Sequence, residues 1–342
     1  MTDSGRLSAD ALRRRVASRL ADAGIDSAAA DAAELVAQLL GVDPGRLLLI
    51  DSVSDEQRER IEAAVARRVQ RVPLQHITSR AYFAGLELEV GPGVFIPRPE
   101  TELLVEWALA RIAEVRAGGA TGINTAGGAT GIDTAGGATG INTASGATEI
   151  RVVDLCSGSG ALALAIAWHA RQVGGARVRV TAVELSPTAG EYLQRNIDAI
   201  GLGADVAAVR ADVTDIDAMR SILAKADVVV SNPPYVPERS EVSPEVAHDP
   251  PEAVFSGDSG MDLIDRLAPI LAEVLASGVP VAIEHDDTTA DRVRARLEDT
   301  GCFDQVRSHR DLADRPRFVS AVRRRGSGSA ASASDCVEGW NA

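Results

Sequence analysis

The residues best suited to chemistry in this chain form the tetrapeptide Asn232-Pro233-Pro234-Tyr235, which follows the apolar run Val228-Val229-Val230-Ser231. Two prolines remove backbone N–H groups and fix the chain so that carbonyl groups point outward instead of into a ladder. Asn232 adds an amide oxygen, and Tyr235 a flat face for a planar substrate. A purely turn-forming role fits this pattern poorly. A second candidate is Val152-Val153-Asp154-Leu155-Cys156-Ser157-Gly158-Ser159-Gly160, where an apolar strand ends in a tight turn of small residues and enters a helix. Such a turn admits a nucleotide-like ligand at the carboxyl end of a strand, so Asp154, Cys156, Ser157, Gly158, Ser159 and Gly160 are candidate ligand-binding residues. Gly-x-Gly turns also serve simply to pack a helix on a sheet, and Ala163 only partly supplies the third small residue of a dinucleotide fingerprint. Glu184, ending Ala182-Val183-Glu184, is placed to accept hydrogen bonds from both hydroxyls of a ribose, or to cap the next helix. Asp212 lies where an adenine amino group would be met, with Val213 packing on the ring, although an ordinary loop aspartate reads the same way.

These residues need a scaffold, and the hydrophobic pattern supplies one. From Glu149 onward, apolar strands at 150–155, 178–184, 205–210, 226–231 and 279–284 alternate with helical stretches near 160–173, 187–200, 215–225 and 260–276. Regular alternation implies a parallel sheet covered on both faces. A helix near 288–300 and strands at 303–308 and 317–323 are placed to close it with an antiparallel hairpin. Residues 8–72 read as a helical bundle, with apolar positions Leu12, Val16, Leu20, then Leu35, Leu39, Leu40, then Ile61, Val65, Val69. Ser54 with Gln57 forms a capping box, Asp26-Ser27 can cap the second helix, and Gly41 can end it. Residues 81–98 alternate and turn at Gly91-Pro92-Gly93, which predicts a hairpin joining two domains. A helix follows from Glu100 to Arg116. Residues 117–148 hold three copies of a nine-residue unit, Ala-Gly-Gly-Ala-Thr-Gly-Ile-Asn/Asp-Thr. This composition has too little apolar bulk to offset its ordering entropy, so a loop insert is expected. The expected division is a helical bundle at 1–75, a hairpin linker at 76–99, a larger domain at 100–324 carrying the insert, and a Gly/Ser/Ala-rich tail at 325–342.

Composition narrows the function. At 45% hydrophobic and 25% charged residues the 342-residue chain is globular in type. Its 35 basic and 49 acidic residues give a net charge of −14, which disfavours a surface that grips phosphate throughout. No direct nucleic-acid binding is expected. Cys156, Cys302 and Cys336 are odd in number and far apart, and His76, His169, His248, His285 and His309 lack ligand spacing, so neither a disulfide framework nor a metal is expected. No apolar run of about 18 residues offers a membrane span, and the chain is read as cytoplasmic. The Arg13, Arg14, Arg15 and Arg67, Arg68, Arg71 clusters read as solvated helix faces, or as a basic patch for an acidic or RNA-bound partner.

With these motifs in place, the chain resembles the methyltransferases with a seven-stranded Rossmann-like sheet that use S-adenosyl-L-methionine on planar nitrogen. More narrowly it is similar to the release-factor glutamine methyltransferase family, PrmC/HemK. Besides Asn232 to Tyr235, the likeness rests on Pro73-Leu74-Gln75-His76-Ile77, Phe95-Ile96-Pro97-Arg98-Pro99-Glu100-Thr101-Glu102 and Arg310-Asp311-Leu312-Ala313. The resemblance implies an α/β fold with a small N-terminal helical domain that recognises the substrate protein, and a connecting β-hairpin. It implies S-adenosyl-L-methionine bound by Asp154 to Gly160, Glu184, Asp212, Val213 and Asn232, with S-adenosyl-L-homocysteine as product. It implies class 1 peptide chain release factors as partners, methylated on the N5 of a glutamine in a Gly-Gly-Gln loop for translation termination. Asn232, Pro233, Pro234 and Tyr235 would be catalytic, and Phe95, Pro97 and Arg98 would join them in holding substrate. The chain departs from the family at Cys156, usually glycine, at Glu184, commonly aspartate, and after Glu284-His285, where Gln-Gly is replaced by Asp286-Asp287. An amino-methyltransferase for adenine or guanine in nucleic acid, and a non-catalytic nucleotide-binding protein, are the alternatives.

Overall fold

The computed structural model describes residues 7–120 and 149–325. Most of the repeat insert and nearly all of the tail lie outside the described residues. The chain divides into two compact units, one made of residues up to 82 with 87–96 and 239–254, the other of 83–86, 97–238 and the residues from 255 onward. The sequence reading placed 239–254 inside the 100–324 domain; in the structure they belong with the helices.

The first unit holds α1 (Ala9–Asp22), α2 (Ala28–Leu40), α3 (Asp55–Val69), the short α4 (Leu74–Thr78) and, from its distant segment, the single turn α9 (Pro251–Val254). In α3 the Ser54 side chain accepts from Gln57 N–H while the Gln57 side chain accepts from Ser54 N–H, the reciprocal cap the sequence predicts. Ser27 stands at the N-cap of α2 without a side-chain bond, and Gly41 ends that helix at φ 71°. Leu12, Val16, Leu20, Leu35, Ile61 and Val65 are fully buried together. The expected period fails at the last turn of α3, where Val69 is exposed and Arg68 is buried. The reason is charge pairing. Arg68 Nε donates to Asp31 at 2.7 Å and its Nη1 to Glu245 at 3.0 Å, and Arg71 donates to the same Glu245 at 2.9 Å. Burial pushes the Glu245 carboxyl up, but the Arg71 and Arg68 guanidinium groups outweigh it and hold the group at about 2. Arg68 and Arg71 are thus neither a free basic patch nor a solvated face.

Strands β1 (Arg80–Phe83) and β2 (Leu86–Glu89) pair in a two-stranded sheet. Their turn is Ala84-Gly85, not the expected Gly91-Pro92-Gly93. Ala84 at φ 47° and Gly85 at φ 81° are both left-handed, the geometry that matches strand twist in a two-residue hairpin loop. The strained alanine is held from both sides: Glu102 accepts its N–H at 2.8 Å, and His169 Nε2 lies 2.8 Å from its carbonyl oxygen.

The second unit is a seven-stranded sheet of β3 (Ile150–Leu155), β4 (Val178–Glu184), β5 (Val206–Arg210), β6 (Val228–Ser231), β7 (Pro280–Glu284), β8 (Phe303–Arg310) and β9 (Pro316–Arg323), in the order β5-β4-β3-β6-β7-β9-β8. Strands β3 to β7 run parallel, and β9 is antiparallel to both β7 and β8. The sheet is layered with α5 (Glu102–Ala120), α6 (Ala161–Val173), α7 (Pro187–Ile200), α8 (Ile216–Leu223), α10 (Asp262–Val274) and α11 (Ala290–Asp299). All four residues of β6 are buried, as a central parallel strand requires. Each predicted strand and helix of this unit is present, with ends shifted by a few residues at most.

Candidate active site

The order of the strands reverses between β3 and β6. From β3 the chain moves outward through β4 to β5, then returns to lay β6 on the other side of β3, pairing Leu155 with Ser231. Doubly wound sheets bind ligands at the carboxyl ends of the two strands flanking such a reversal. Here those ends carry Asp154 to Gly160 and Asn232 to Tyr235. Ser231 Oγ ties them together by donating to Leu155 O at 2.9 Å.

In the loop after β3, Cys156, Gly158 and Gly160 all take left-handed φ values of 64°, 55° and 89°. Ser157 N–H donates to Val183 O, Gly160 N–H to Ser157 O, and Asn196 Nδ2 to Ser159 O. The two glycines do different work. A Cβ on Gly160 would stand 2.5 Å from Leu193 and 3.1 Å from Leu164, so this residue seats α6; a Cβ on Gly158 would meet nothing within 4 Å. Helix packing, one of the two roles the sequence leaves open for this turn, therefore rests on Gly160 and not on Gly158. Glu184 receives Gly158 N–H on Oε2 and Ser186 N–H on Oε1, both at 2.8 Å, which fixes its carboxylate at the edge of the loop. Asp154 is fully buried. Its Oδ2 accepts Ala163 N–H at 3.1 Å, its Oδ1 has no partner, and burial raises its pKa to about 7. Burial also pushes the Cys156 thiol far up, with Glu184 the next cause, which disfavours the reactive thiolate form.

Asp212 is exposed and accepts from Thr214 N–H and Oγ1, which hold its carboxyl below the usual range. Val213 is built into the hydrophobic core. Phe95 lies in the helical unit, whereas Pro97 and Arg98 begin the sheet unit; all three are half-buried.

The tetrapeptide is clamped by the segment before α10. Val236 bridges Phe255, Ser256 N–H donates to Val236 O, and Glu238 N–H to Gly257 O. Gly260 sits at φ 72°, where a Cβ would come within 2.2 Å of Tyr235 O. Behind the tetrapeptide runs a hydrogen-bond chain that motif reading does not reveal. Asn232 Nδ2 donates to Thr101 Oγ1 at 3.2 Å, Thr101 Oγ1 donates to Glu284 Oε1 at 3.1 Å, and Tyr235 OH donates to the same Oε1 at 3.0 Å. Thr101 and Glu284 are both buried. Burial lifts Glu284 to about 7 against the two hydroxyl bonds, and lifts the Tyr235 phenol well above its ordinary value. Thr101 and Glu284 both lie in or beside motif stretches, but their pairing spans 183 positions and leaves no local signal.

A sheet that reverses between β3 and β6 and closes with an antiparallel β9 is that of the methyltransferases, and residues 139–239 match the TRM5/TYW2 methyltransferase domain family model. Residues 11–78 match the PrmC N-terminal domain. The chain is 42% identical over 305 residues to a release factor glutamine methyltransferase of Mycolicibacterium smegmatis, covering 89% of this chain and 94% of that one. It is 41% identical to that of Corynebacterium glutamicum (91% and 97% covered) and 38% to that of Mycobacterium tuberculosis strain H37Rv (90% and 89%). The chain belongs to the release factor glutamine methyltransferase family, and it is a methyltransferase. Among solved structures, the hMettl16 catalytic domain in complex with MAT2A 3′UTR hairpin 6 aligns with a TM-score of 0.48 and 11% identity, over 80% of this chain and 84% of that one.

Proposed function

We propose that this enzyme methylates the N5 nitrogen of the glutamine side chain in the Gly-Gly-Gln loop of class 1 peptide chain release factors, using S-adenosyl-L-methionine and releasing S-adenosyl-L-homocysteine. The observation that carries the reading is Asn232-Pro233 at the reversal of strand order, beside the Gly-rich turn, in a chain akin to these enzymes over nearly its whole length. The residues fit the donor. Asp154 Oδ1 is a buried acceptor without a partner, suited to an ammonium group, and Gly158 leaves open space above the turn. Asp154, Gly158 and Glu184 would hold the donor, which supplies a methyl group made electrophilic by its sulfonium.

An amide nitrogen is a poor nucleophile because its lone pair is delocalised into the carbonyl. Asn232 Oδ1 and Pro233 O would accept hydrogen bonds from the glutamine NH₂, orienting it and dispersing the positive charge that develops on nitrogen. Tyr235 would hold the amide plane by contact, and fixed placement would supply much of the remaining rate. Pro97 and Arg98 would shape the approach, and the helical unit would bind the body of the release factor. A role in translation termination would put the enzyme at work in the cytoplasm.

The test is incubation with methyl-labelled donor and purified release factor, followed by peptide mapping. Label on the loop glutamine is the expected result, with Asn232→Ala folding normally and losing turnover by about 10²-fold or more, the scale for removing one preorganised polar group. Label entering DNA or RNA bases instead of the release factor would overturn the reading.

A further inference from the structure

We propose that Thr101 and Glu284 are positioning residues for methyl transfer: through one shared carboxylate oxygen they fix which end of the Asn232 amide faces the substrate and where the Tyr235 ring stands. The inference rests on the proposed glutamine methylation and extends it to two residues that do not touch the reacting atoms.

Donors and acceptors around Thr101 fix the orientation of the amide. A threonine hydroxyl has a single hydrogen and two lone pairs. Thr101 commits its hydrogen to Glu284 Oε1 at 3.1 Å, so toward Asn232, 3.2 Å away, it offers only a lone pair. An amide meeting a lone pair must present NH₂. Nδ2 of Asn232 therefore turns to Thr101, and Oδ1 is left to receive the N–H of an incoming carboxamide. The opposite flip would set two oxygens against each other beside Thr101 and aim an NH₂ at the substrate NH₂. Nothing within Asn232 itself decides between these two states, because the two ends of an amide have almost the same shape.

The same Oε1 accepts from Tyr235 OH at 3.0 Å. The tetrapeptide is thus tied at both ends to one atom, directly through Tyr235 and by way of Thr101 through Asn232, and that atom is carried on the last residue of β7, the strand next to β6. Glu284 Oε1 has the lone pairs for both hydroxyls whether or not Oε2 carries a proton. Threonine at 101 belongs to the short turn that precedes α5, where Thr101 N–H donates to Arg98 O and the residue is 3% exposed. Thr101 is buried, so on its side the orientation of the amide is set by these protein groups.

The experiment is steady-state methylation of purified release factor by Thr101→Val, Thr101→Ser, Glu284→Leu and Glu284→Gln, with donor affinity measured by calorimetry. Valine matches threonine in shape and cannot accept a hydrogen bond. In Thr101→Val we expect kcat to fall about tenfold, the scale of one orienting hydrogen bond, with KM for the release factor and donor affinity within twofold. Serine should restore kcat, and Glu284→Gln, whose carbonyl can accept both hydroxyls, should exceed Glu284→Leu at least tenfold. If Thr101→Val no longer binds donor, Thr101→Cys carries the test, since a thiol fills the same place and accepts poorly. Full kcat in Thr101→Val or Thr101→Cys, or failure of serine to restore it, would overturn the inference. If the wild-type enzyme itself leaves the glutamine unmethylated, it is the proposed reaction that fails.

Discussion

Replacing Cys156 by alanine and, separately, by glycine should invert the usual stability order of those two residues. At an ordinary position alanine is favoured by about 0.5–1 kcal/mol, because glycine leaves the unfolded chain more freedom to lose. Cys156 has φ 64°. There a Cβ crowds the neighbouring carbonyl oxygen, at a cost of about 1–2 kcal/mol. Alanine keeps that Cβ and glycine removes it, so the glycine variant should be the more stable by about 0.5–1 kcal/mol after the entropic term is subtracted. Both variants lose the thiol and its contact with the core, and that loss cancels in the comparison. Denaturant unfolding gives the difference directly, and thermal unfolding should show it as about 1–4 °C for a domain of this size class. The same exchange at buried Ala165 in α6, where the backbone is helical, supplies the normal order as a control. An alanine variant as stable as the glycine variant would show that the loop is not held left-handed at this residue.

Three further outcomes follow from buried groups and close contacts. Glu284 has its pKa raised from 4.5 to about 7 by burial, so between those values the folded state keeps a proton that the unfolded chain has released. Stability should therefore fall as pH rises through that window, by up to about 3 kcal/mol, with Asp154 acting in the same direction; a melting temperature that rises from pH 5 to 7.5, or a Glu284→Gln variant with an unchanged slope, would contradict this. Glu245 has the opposite sign, contributing stability above pH 4.5 that is lost as pH falls toward about 2. Glu245→Ala should cost about 2–3 kcal/mol in denaturant unfolding at neutral pH, since it strips buried Arg68 of one partner, and a loss under 0.5 kcal/mol would mean that Asp31 suffices. Gly260→Ala must displace Tyr235 O from 2.2 Å, and should lower kcat while donor affinity, measured by calorimetry, stays near that of the wild type; unchanged turnover would show that the backbone of the tetrapeptide tolerates movement.

What could be read from the chain and what could not divides along sequence separation. Strands β3 to β7 and the helices between them are legible because each announces itself within ten or fifteen residues, by an apolar run or a repeating apolar face. The capping box at Ser54 and the left-handed stop at Gly41 are equally local. The hairpin turn is not legible because Gly91-Pro92-Gly93 is a stronger local signal than Ala84-Gly85, and Ala84 is stabilised by Glu102 and His169, which no neighbouring residue foretells. The burial of Arg68 leaves no local sign in the sequence because its partners lie 37 and 177 positions away. At the site, motif spacing points to Asn232 and Tyr235, but Thr101 and Glu284, which bond to them, meet across 183 positions and only in the folded chain.

The path of the backbone between the two units carries a lesson for exchanging parts among relatives. The chain crosses from one unit to the other after residues 82, 86, 96, 238 and 254. No single cut in the gene releases the helical unit whole, and a fragment ended at 82 or 96 carries Arg68 and Arg71 but leaves Glu245 behind. A chimera that takes its helices from one parent and its sheet from another inherits mismatched charges unless residues 239–254 travel with the helices. Positions 31, 68, 71 and 245 are one heritable set, scattered along the text of the gene and read as a single word only in the folded molecule.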